Sequence, residues 1–190
     1  MFILGVTGSI SSGKTTVAKI MASNKYPIFF ADRVVAQIYK DKKFLNKLFK
    51  LFKFKSKKKI KSQIKQIIKK DKKKFRKLEF LIHPEVRKKM KIFLKKKHKI
   101  LILEIPLLVE NRLNKYFDKI IFVGAKKKLR LKRYLNRGSS KKMFNLLDKR
   151  QISPSKKIQA SDHVINNNSN LMNLKKNVKK IIKIYEWNIF

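Results

Sequence analysis

Within residues 2–18, a glycine-rich turn lies between an apolar run and a segment whose apolar and polar residues alternate as in a helix. From Gly8 to Thr15 the spacing is G-x-x-x-x-G-K-[ST], the pattern of a phosphate-binding loop, which requires a strand before the turn and a helix after it. Both flanking elements are predicted at the required places. The stretch therefore predicts an α/β chain that binds a nucleoside triphosphate.

Each residue type in this loop suits the binding of phosphate. Gly8 and Gly13 allow backbone conformations and a close approach that a Cβ would hinder, so that successive N–H groups can point at an anion. Lys14 can reach the β- and γ-phosphates, and the Thr15 hydroxyl is placed to ligand Mg²⁺. The predicted ATP-binding residues are Gly8, Ser11, Ser12, Gly13, Lys14, Thr15 and Thr16, with Thr15 also predicted as the metal ligand.

A simpler interpretation of the same stretch is a Gly/Ser turn before a helix whose N-cap is Ser11 or Ser12. That interpretation explains the small residues without any ligand. The strand, the lysine and the hydroxyl together favour the phosphate-binding loop.

Length and composition limit the class of protein. A chain of 190 residues, of which 43% are hydrophobic, is long enough for one sizeable core, and we expect one domain. There is no cysteine, which excludes disulfides, thiolate metal sites and a cysteine nucleophile. No apolar run approaches the roughly 18 residues of a membrane span, and the N-terminus leads directly into the loop instead of a signal peptide. We expect a cytoplasmic chain with no membrane partner.

The formal net charge of +41 has two interpretations. Most of the 52 basic residues are lysines, spread along the whole chain, and lysine, asparagine, isoleucine and phenylalanine are all plentiful. Their codons can be built from A and T alone, so drift in an A/T-rich coding sequence would leave an unselected, solvated surface. The alternative is a surface selected to bind polyanions. We expect non-specific attraction of polyanions but no specific nucleic-acid partner.

Further strands and helices alternate along the chain, which predicts a parallel sheet with helices on both faces. Residues 41–99 have a helical pattern and form a predicted insertion, in which Pro84 should break or start a helix. The other predicted elements are helices at 15–22, 33–39, 127–136 and 171–187, a helix that ends near Gln151, and strands at 26–30, 119–123 and 163–165 around a buried central strand that begins near Lys99.

Two acidic residues follow predicted strands at the edge where open α/β sheets bind ligands. Asp32 is a candidate to contact an acceptor hydroxyl, or equally the N-cap of the next helix. Glu104 ends the buried strand, where such proteins place an acid that holds Mg²⁺ through water. Arg130, Arg133 and Arg137 are spaced at three and four residues, so they can share one face of a helix. That face is either directed at an anion or is the solvated side of a basic helix.

Several separated stretches resemble the dephospho-CoA kinases of coenzyme A biosynthesis, from residue 3 to about residue 180. The stretches that carry the resemblance are residues 7–16, Ala31-Asp32, residues 78–84, residues 104–110, Arg133 and Arg137 followed by Gln151, and residues 161–167. The combination of Pro106-Leu107-Leu108 and Glu110 with His83-Pro84 and the late Asp-x-Val-Ile-x-Asn is more specific than the phosphate-binding loop, which many kinases share.

The resemblance implies a P-loop kinase fold that transfers the γ-phosphate of ATP to the 3′-hydroxyl of the dephospho-CoA ribose, with Mg²⁺ as cofactor. It implies a core at about 1–35, 99–126 and 160–190, a helical substrate-binding part at about 36–98 and a lid at about 127–159, in one monomeric domain. The implied catalytic residues are Lys14, Asp32 and Arg137. The implied substrate-binding residues are Asp32, Lys61, His83 and Leu107.

The chain also departs from the family pattern. Where the family usually has glycine, this loop has Ser9 and Ser11, which can be accommodated only with negative φ angles. Arg130 stands where the family usually has glutamine. Three further departures are Phe30 for an aspartate, Ala36 for an arginine and Lys61 for an arginine.

Overall fold

A computed structural model of the chain describes residues 1–54 and 60–187, with the side chain of Lys61 outside the description. The strands are β1 (Phe2–Gly8), β2 (Ile28–Phe30), β3 (Ile100–Glu104), β4 (Lys119–Gly124) and β5 (His163–Asn166). The helices are α1 (Lys14–Ala22), α2 (Ala31–Ile38), α3 (Lys42–Phe52), α4 (Ile60–Lys70), α5 (Lys72–Leu94), α6 (Lys127–Leu135), α7 (Lys141–Arg150), α8 (Pro154–Gln159) and α9 (Leu171–Trp187), with a short 3-10 helix at Asn114–Tyr116.

The five strands form one parallel sheet in the order β2-β3-β1-β4-β5. The central strand β1 pairs with β3, where Val6 lies opposite Glu104, and with β4, where Gly8 lies opposite Val123. Helices cover both faces of the sheet, so every residue of β3 is buried, as its apolar run predicts. The prediction of a parallel α/β sheet is confirmed.

The chain forms two compact units. The first contains residues 1–30 and the residues from 96 onward, which include the whole sheet. Its core combines side chains of the strands with those of α1 and α9, among them Leu4, Val17, Met21, Ile121 and Val178. The amphipathic pattern of α9 places its apolar side chains in this core, and the predicted bounds of that helix, 171–187, are confirmed.

The second unit, Ala31–Lys95, is helical. Its core contains Ile38, Phe44, Leu48, Ile64, Leu78 and Ile82. Asp41 caps α3 by accepting a hydrogen bond from Phe44 N at 2.8 Å, and Asp71 caps α5 in the same way from Lys74 N at 2.8 Å. Residues 55–59, part of the predicted helical insertion, lie outside the described residues.

Three expectations about residues at or inside helices differ from the structure. Pro84 lies inside the 23-residue helix α5 rather than at a break. The carbonyl that loses its helical partner to proline belongs to Phe80, a residue on an exposed side of the helix. Helix α2 begins at Ala31, so Asp32 lies in its first turn and is not its N-cap. Helix α6 ends at Leu135, so Arg137 lies beyond it.

A buried ion pair joins α8 to the turn that follows β3. Lys157 is fully buried, and its Nζ lies 2.8 Å from Glu110 Oε1 and donates to Pro106 O at 2.9 Å. Ile152 N also donates to Glu110 Oε1, at 3.3 Å. Burial lowers the pKa of Lys157, and the Glu110 carboxylate opposes this shift. The Glu110 carboxylate thus offsets part of the cost of burying the Lys157 ammonium.

In the part of the chain that the structure describes, no helix has both the length and the apolar character needed to cross a membrane.

Replacing Lys157 by methionine should lower the free energy of unfolding by about 3 kcal/mol, because the Glu110 carboxylate is left buried without its cation. The double variant Lys157→Met with Glu110→Leu should recover most of this loss, since neither charge is then buried. Urea unfolding of both variants measures the two values. A double variant no more stable than the single one would contradict the account.

Candidate active site

The loop between β1 and α1 is held in a narrow space. Gly8 has φ 151° and Gly13 has φ 99°, both unfavourable for residues with a side chain. A Cβ at Gly8 would overlap the carbonyl oxygen of Val123, and a Cβ at Gly13 would overlap the side-chain amide of Asn167. Gly13 is the N-cap of α1, and no side chain caps the helix there by a hydrogen bond. The alternative in which Ser11 or Ser12 is the N-cap is therefore wrong.

Ser11 adopts φ 56°, so the expectation of a negative φ at this position is wrong. Ser9, in contrast, does not have a positive φ. A left-handed conformation costs a residue with a side chain roughly 1–2 kcal/mol. The hydroxyl oxygens of Ser11 and Ser12 are buried and have no hydrogen-bond partner among the described residues. The loop thus contains local strain and two hydroxyls that can still form hydrogen bonds.

Lys14 lies against the loop. Its side chain is 7% exposed, and Nζ donates to Ser9 O at 2.9 Å. The ammonium group is therefore held next to the backbone that the sequence predicts to surround phosphate. The backbone N–H groups at the start of α1 have no intrahelical acceptor, because the first intrahelical bond runs from Val17 N to Gly13 O. They add positive dipole ends to the charge of Lys14.

Thr15 and Glu104 meet at the carboxyl ends of β1 and β3. Thr15 Oγ1 lies 3.0 Å from both carboxylate oxygens of Glu104, which is 6% exposed. A hydroxyl and a carboxylate are oxygen ligands of the type that Mg²⁺ prefers, together with substrate phosphates. The Thr15 hydroxyl and the Glu104 carboxylate thus form a two-residue donor set that fits Mg²⁺ when it also binds phosphate. Within residues 1–54 and 60–187, there is no group of three or more His, Asp or Glu side chains that could hold a metal ion.

The outer side of the loop is held by side chains from later elements. Gln151 Oε1 accepts from Ile10 N at 3.0 Å, and Arg130 Nη1 lies 3.4 Å from Ile10 O. Ser12 O accepts from Asn167 Nδ2 at 2.8 Å and lies 3.5 Å from Arg133 Nη1. The loop backbone is thus bonded to residues more than a hundred positions away in the chain.

The three arginines that were predicted to share a helical face have different surroundings in the structure. Arg130 and Arg133 contact loop carbonyls, so the interpretation of a purely solvated helix is wrong for them. Arg137 is exposed beyond α6. Asn167 was not predicted as a site residue, although it lies in the late Asp-x-Val-Ile-x-Asn stretch that the resemblance singles out.

Four predicted residues lie apart from the loop in the chain. Asp32 is exposed in the first turn of α2. His83 is half-buried in α5, where burial, and secondly the nearby Arg87 guanidinium, lower its pKa. Leu107 is half-buried in the turn after β3, and its carbonyl accepts from the Asn111 amide at 2.8 Å. The side chain of Lys61 lies outside the described residues.

Comparisons with known proteins agree along almost the whole chain. A family model described as dephospho-CoA kinase matches residues 2–173. A dephospho-CoA kinase of Fusobacterium nucleatum is 33% identical over 186 residues, which cover 95% of this chain and 96% of the relative. A dephospho-CoA kinase of Zymomonas mobilis is 34% identical over 191 residues, which cover 95% of each chain.

Solved structures are similar to this chain in fold, and two of the three are also similar in sequence. A Thermus thermophilus protein aligns with a TM-score of 0.78 and 27% identity over 96% of each chain. A dephospho-CoA kinase from Campylobacter jejuni aligns with a TM-score of 0.63 and 26% identity over 96% of each chain. A shikimate kinase from Bacteroides thetaiotaomicron has a TM-score of 0.59 but 11% identity, which is a likeness of fold alone.

Gly13→Ala should weaken the binding of Mg-ATP at least about tenfold, because its Cβ would push Asn167 away from the loop. Gly138→Ala is the matched control: Gly138 also has a positive φ, 74°, but nothing lies within 4 Å of a Cβ there. Both variants should lose stability through backbone strain, but only Gly13→Ala should lose affinity in titration calorimetry. Equal affinities for the two variants would contradict the steric account.

Proposed function

This chain belongs to the dephospho-CoA kinase family, and we propose that it transfers the γ-phosphate of ATP to the 3′-hydroxyl of the dephospho-CoA ribose. The ATP-dependent phosphorylation of dephospho-CoA in coenzyme A biosynthesis is the reaction of its family. The observation that carries the proposal is the contact of Thr15 with Glu104, beside a loop that holds Lys14. The proposal also includes a role for each of the predicted site residues.

The loop binds the phosphates of ATP. We assign this role to Gly8, Ser11, Ser12, Gly13, Lys14, Thr15 and Thr16. Inward-facing N–H groups and the start of α1 supply the donors, and the Lys14 ammonium moves from Ser9 O to the β- and γ-phosphates. A single short loop thus supplies both the hydrogen bonds and the charge that the phosphates need.

Thr15 Oγ1 and Glu104 would hold Mg²⁺, whose bound charge neutralises that of the phosphates. Glu104 keeps the Thr15 hydroxyl oriented, and its carboxylate is itself held by the pairing of β3 with β1. Glu104 ends β3 and Thr15 lies in the first turn of α1, which follows β1, so the pairing of β1 with β3 sets the separation of these two residues.

Asp32 orients or deprotonates the acceptor hydroxyl. Asp32 follows the end of β2 by two residues in the chain, the position of an acid after a strand from which the sequence predicts this role. In the first turn of α2 its carboxylate is exposed and available to a substrate. Phosphoryl transfer depends mainly on positioning and on electrostatic stabilisation, so one carboxylate at the acceptor is sufficient.

The other roles follow the family resemblance. His83, Lys61 and Leu107 bind dephospho-CoA, and Arg137 neutralises the charge that develops on the transferred group. The lowered pKa keeps His83 neutral at neutral pH, so that it acts as a hydrogen-bonding group rather than as a cation. Arg137 is exposed just beyond α6, where a planar guanidinium can reach an anionic group.

The division of labour along the chain is part of the proposal. The core at about 1–35, 99–126 and 160–190 binds ATP, the helical part at about 36–98 binds the acceptor, and the lid at about 127–159 carries Arg137. We propose one domain that acts as a cytoplasmic monomer.

A coupled assay of ADP release should show turnover with dephospho-CoA and none with nucleoside monophosphates or shikimate. The second group represents the alternative of another small-molecule kinase, which the shared fold by itself allows. Product analysis should place the new phosphate on the 3′-oxygen. Turnover with only a nucleoside monophosphate or shikimate would overturn the proposal.

Asp32→Asn should lower kcat about 10³-fold, since the amide cannot accept the hydroxyl proton. The Kd of ATP should change little, because ATP binds on the loop. Asp71→Asn is the matched control: it makes the same chemical change in the same unit, and asparagine can still cap α5. A kcat of Asp32→Asn equal to that of the control would exclude the catalytic role.

A further inference from the structure

The peptide unit of Ile10 is bonded on both sides. Its N–H donates to Gln151 Oε1 at 3.0 Å, and its carbonyl oxygen lies 3.4 Å from Arg130 Nη1. The next residue, Ser11, has φ 56°, the left-handed conformation that disfavours a side chain. Two distant side chains therefore hold the loop immediately before its strained residue.

Arg130 is itself firmly fixed. It is 5% exposed, and its Nη1 forms an ion pair with Asp148 Oδ1 at 2.6 Å. Its Nε donates to Ala125 O at 3.1 Å, and the guanidinium lies 5.6 Å from the centre of the Phe144 ring. These contacts come from α7 and from the end of β4. Groups outside the loop thus orient the Arg130 guanidinium toward Ile10 O.

The sequence allows two interpretations of Arg130, an anion contact or part of a solvated basic helix, and neither describes this arrangement. Its guanidinium is not solvated, and its hydrogen bonds are directed at Asp148, Ala125 and Ile10 rather than at an open anion site. It therefore acts on the loop backbone. A buried arginine that is paired with a carboxylate and directed at a loop carbonyl is suited to positioning that loop.

We propose that Arg130, fixed by Asp148, is a positioning residue that keeps Ser11 in the left-handed conformation in which the loop binds ATP. Gln151 supports the same peptide unit from its N–H side. Apparent affinity falls in proportion to the fraction of molecules in the competent conformation. Glycine would reach this conformation without help, whereas serine needs the support. The inference rests on the proposed function in that this loop binds ATP.

The test is a double-mutant cycle on the Kd of Mg-ATP, measured by titration calorimetry. Its members are the wild type, Arg130→Lys, Ser11→Gly and the double variant. Lysine keeps the charge opposite Asp148 but is shorter and lacks the Nε–H that bonds Ala125 O, so we expect its ammonium not to take the place of Nη1 beside Ile10 O. Lys132→Met, which removes a charge from an exposed position of the same helix, is the matched control.

Arg130→Lys should weaken ATP binding about tenfold with serine at position 11, and only about threefold or less with glycine there. Lys132→Met should bind as the wild type does. The KM for ATP should rise in Arg130→Lys while the KM for dephospho-CoA does not. Equal losses in the serine and glycine backgrounds, no loss at all, or the same loss in Lys132→Met would overturn the proposal.

Gln151→Met provides an independent measurement if Arg130→Lys does not fold. It removes the acceptor of Ile10 N without leaving a buried charge, so its loss of affinity should also be smaller with glycine at position 11. An equal loss in both backgrounds would again overturn the proposal. The cycle measures ATP binding alone, so a wild type that binds ATP but does not phosphorylate dephospho-CoA would refute the proposed function without affecting this inference.

Discussion

The pairing of β1 between β3 and β4 is the constraint on which the candidate site depends. Because all strands are parallel, their carboxyl ends meet at one edge of the sheet. The register places Val6 beside Glu104 and Gly8 beside Val123, so the loop begins where both neighbouring strands end. The first turn of α1 then brings Thr15 within 3.0 Å of Glu104. A slip of one residue would turn the Glu104 side chain to the opposite face of the sheet.

Three of the 11 acidic residues of this very basic chain occupy positions with defined contacts in the core or beside the loop. Glu104 binds Thr15, Glu110 pairs with Lys157, and Asp148 pairs with Arg130. The buried basic residues in the described part of the chain are Lys14, Arg130 and Lys157, and each contacts a backbone carbonyl. The other basic side chains within the described residues are partly or fully exposed. Drift in composition and polyanion binding both remain predictions for that surface.

Much of the fold is predictable from the sequence, because strand and helix periodicities are local patterns. The buried run before Glu104 and the stretch before Gly8 become neighbouring strands, and the glycine spacing identifies the phosphate-binding loop. The wrong prediction for Ser11 concerns a residue whose state depends on distant groups, because Ser11 is left-handed in a loop that Arg130 and Gln151 hold. Pro84 differs from its prediction without such a contact: it lies inside α5, on an exposed side of the helix.

The sequence by itself determined the reaction class and the family and predicts the residues that touch phosphate, since these depend on residue types at fixed short spacings. Only the tertiary structure decided which side chains hold the loop. Arg130, Gln151 and Asn167 are 120, 141 and 155 positions away from the loop residues that they contact. Their roles arise from the order of strands in the sheet and the packing of α6 and α7. Local sequence patterns do not encode contacts over such separations, because packing alone brings these residues together.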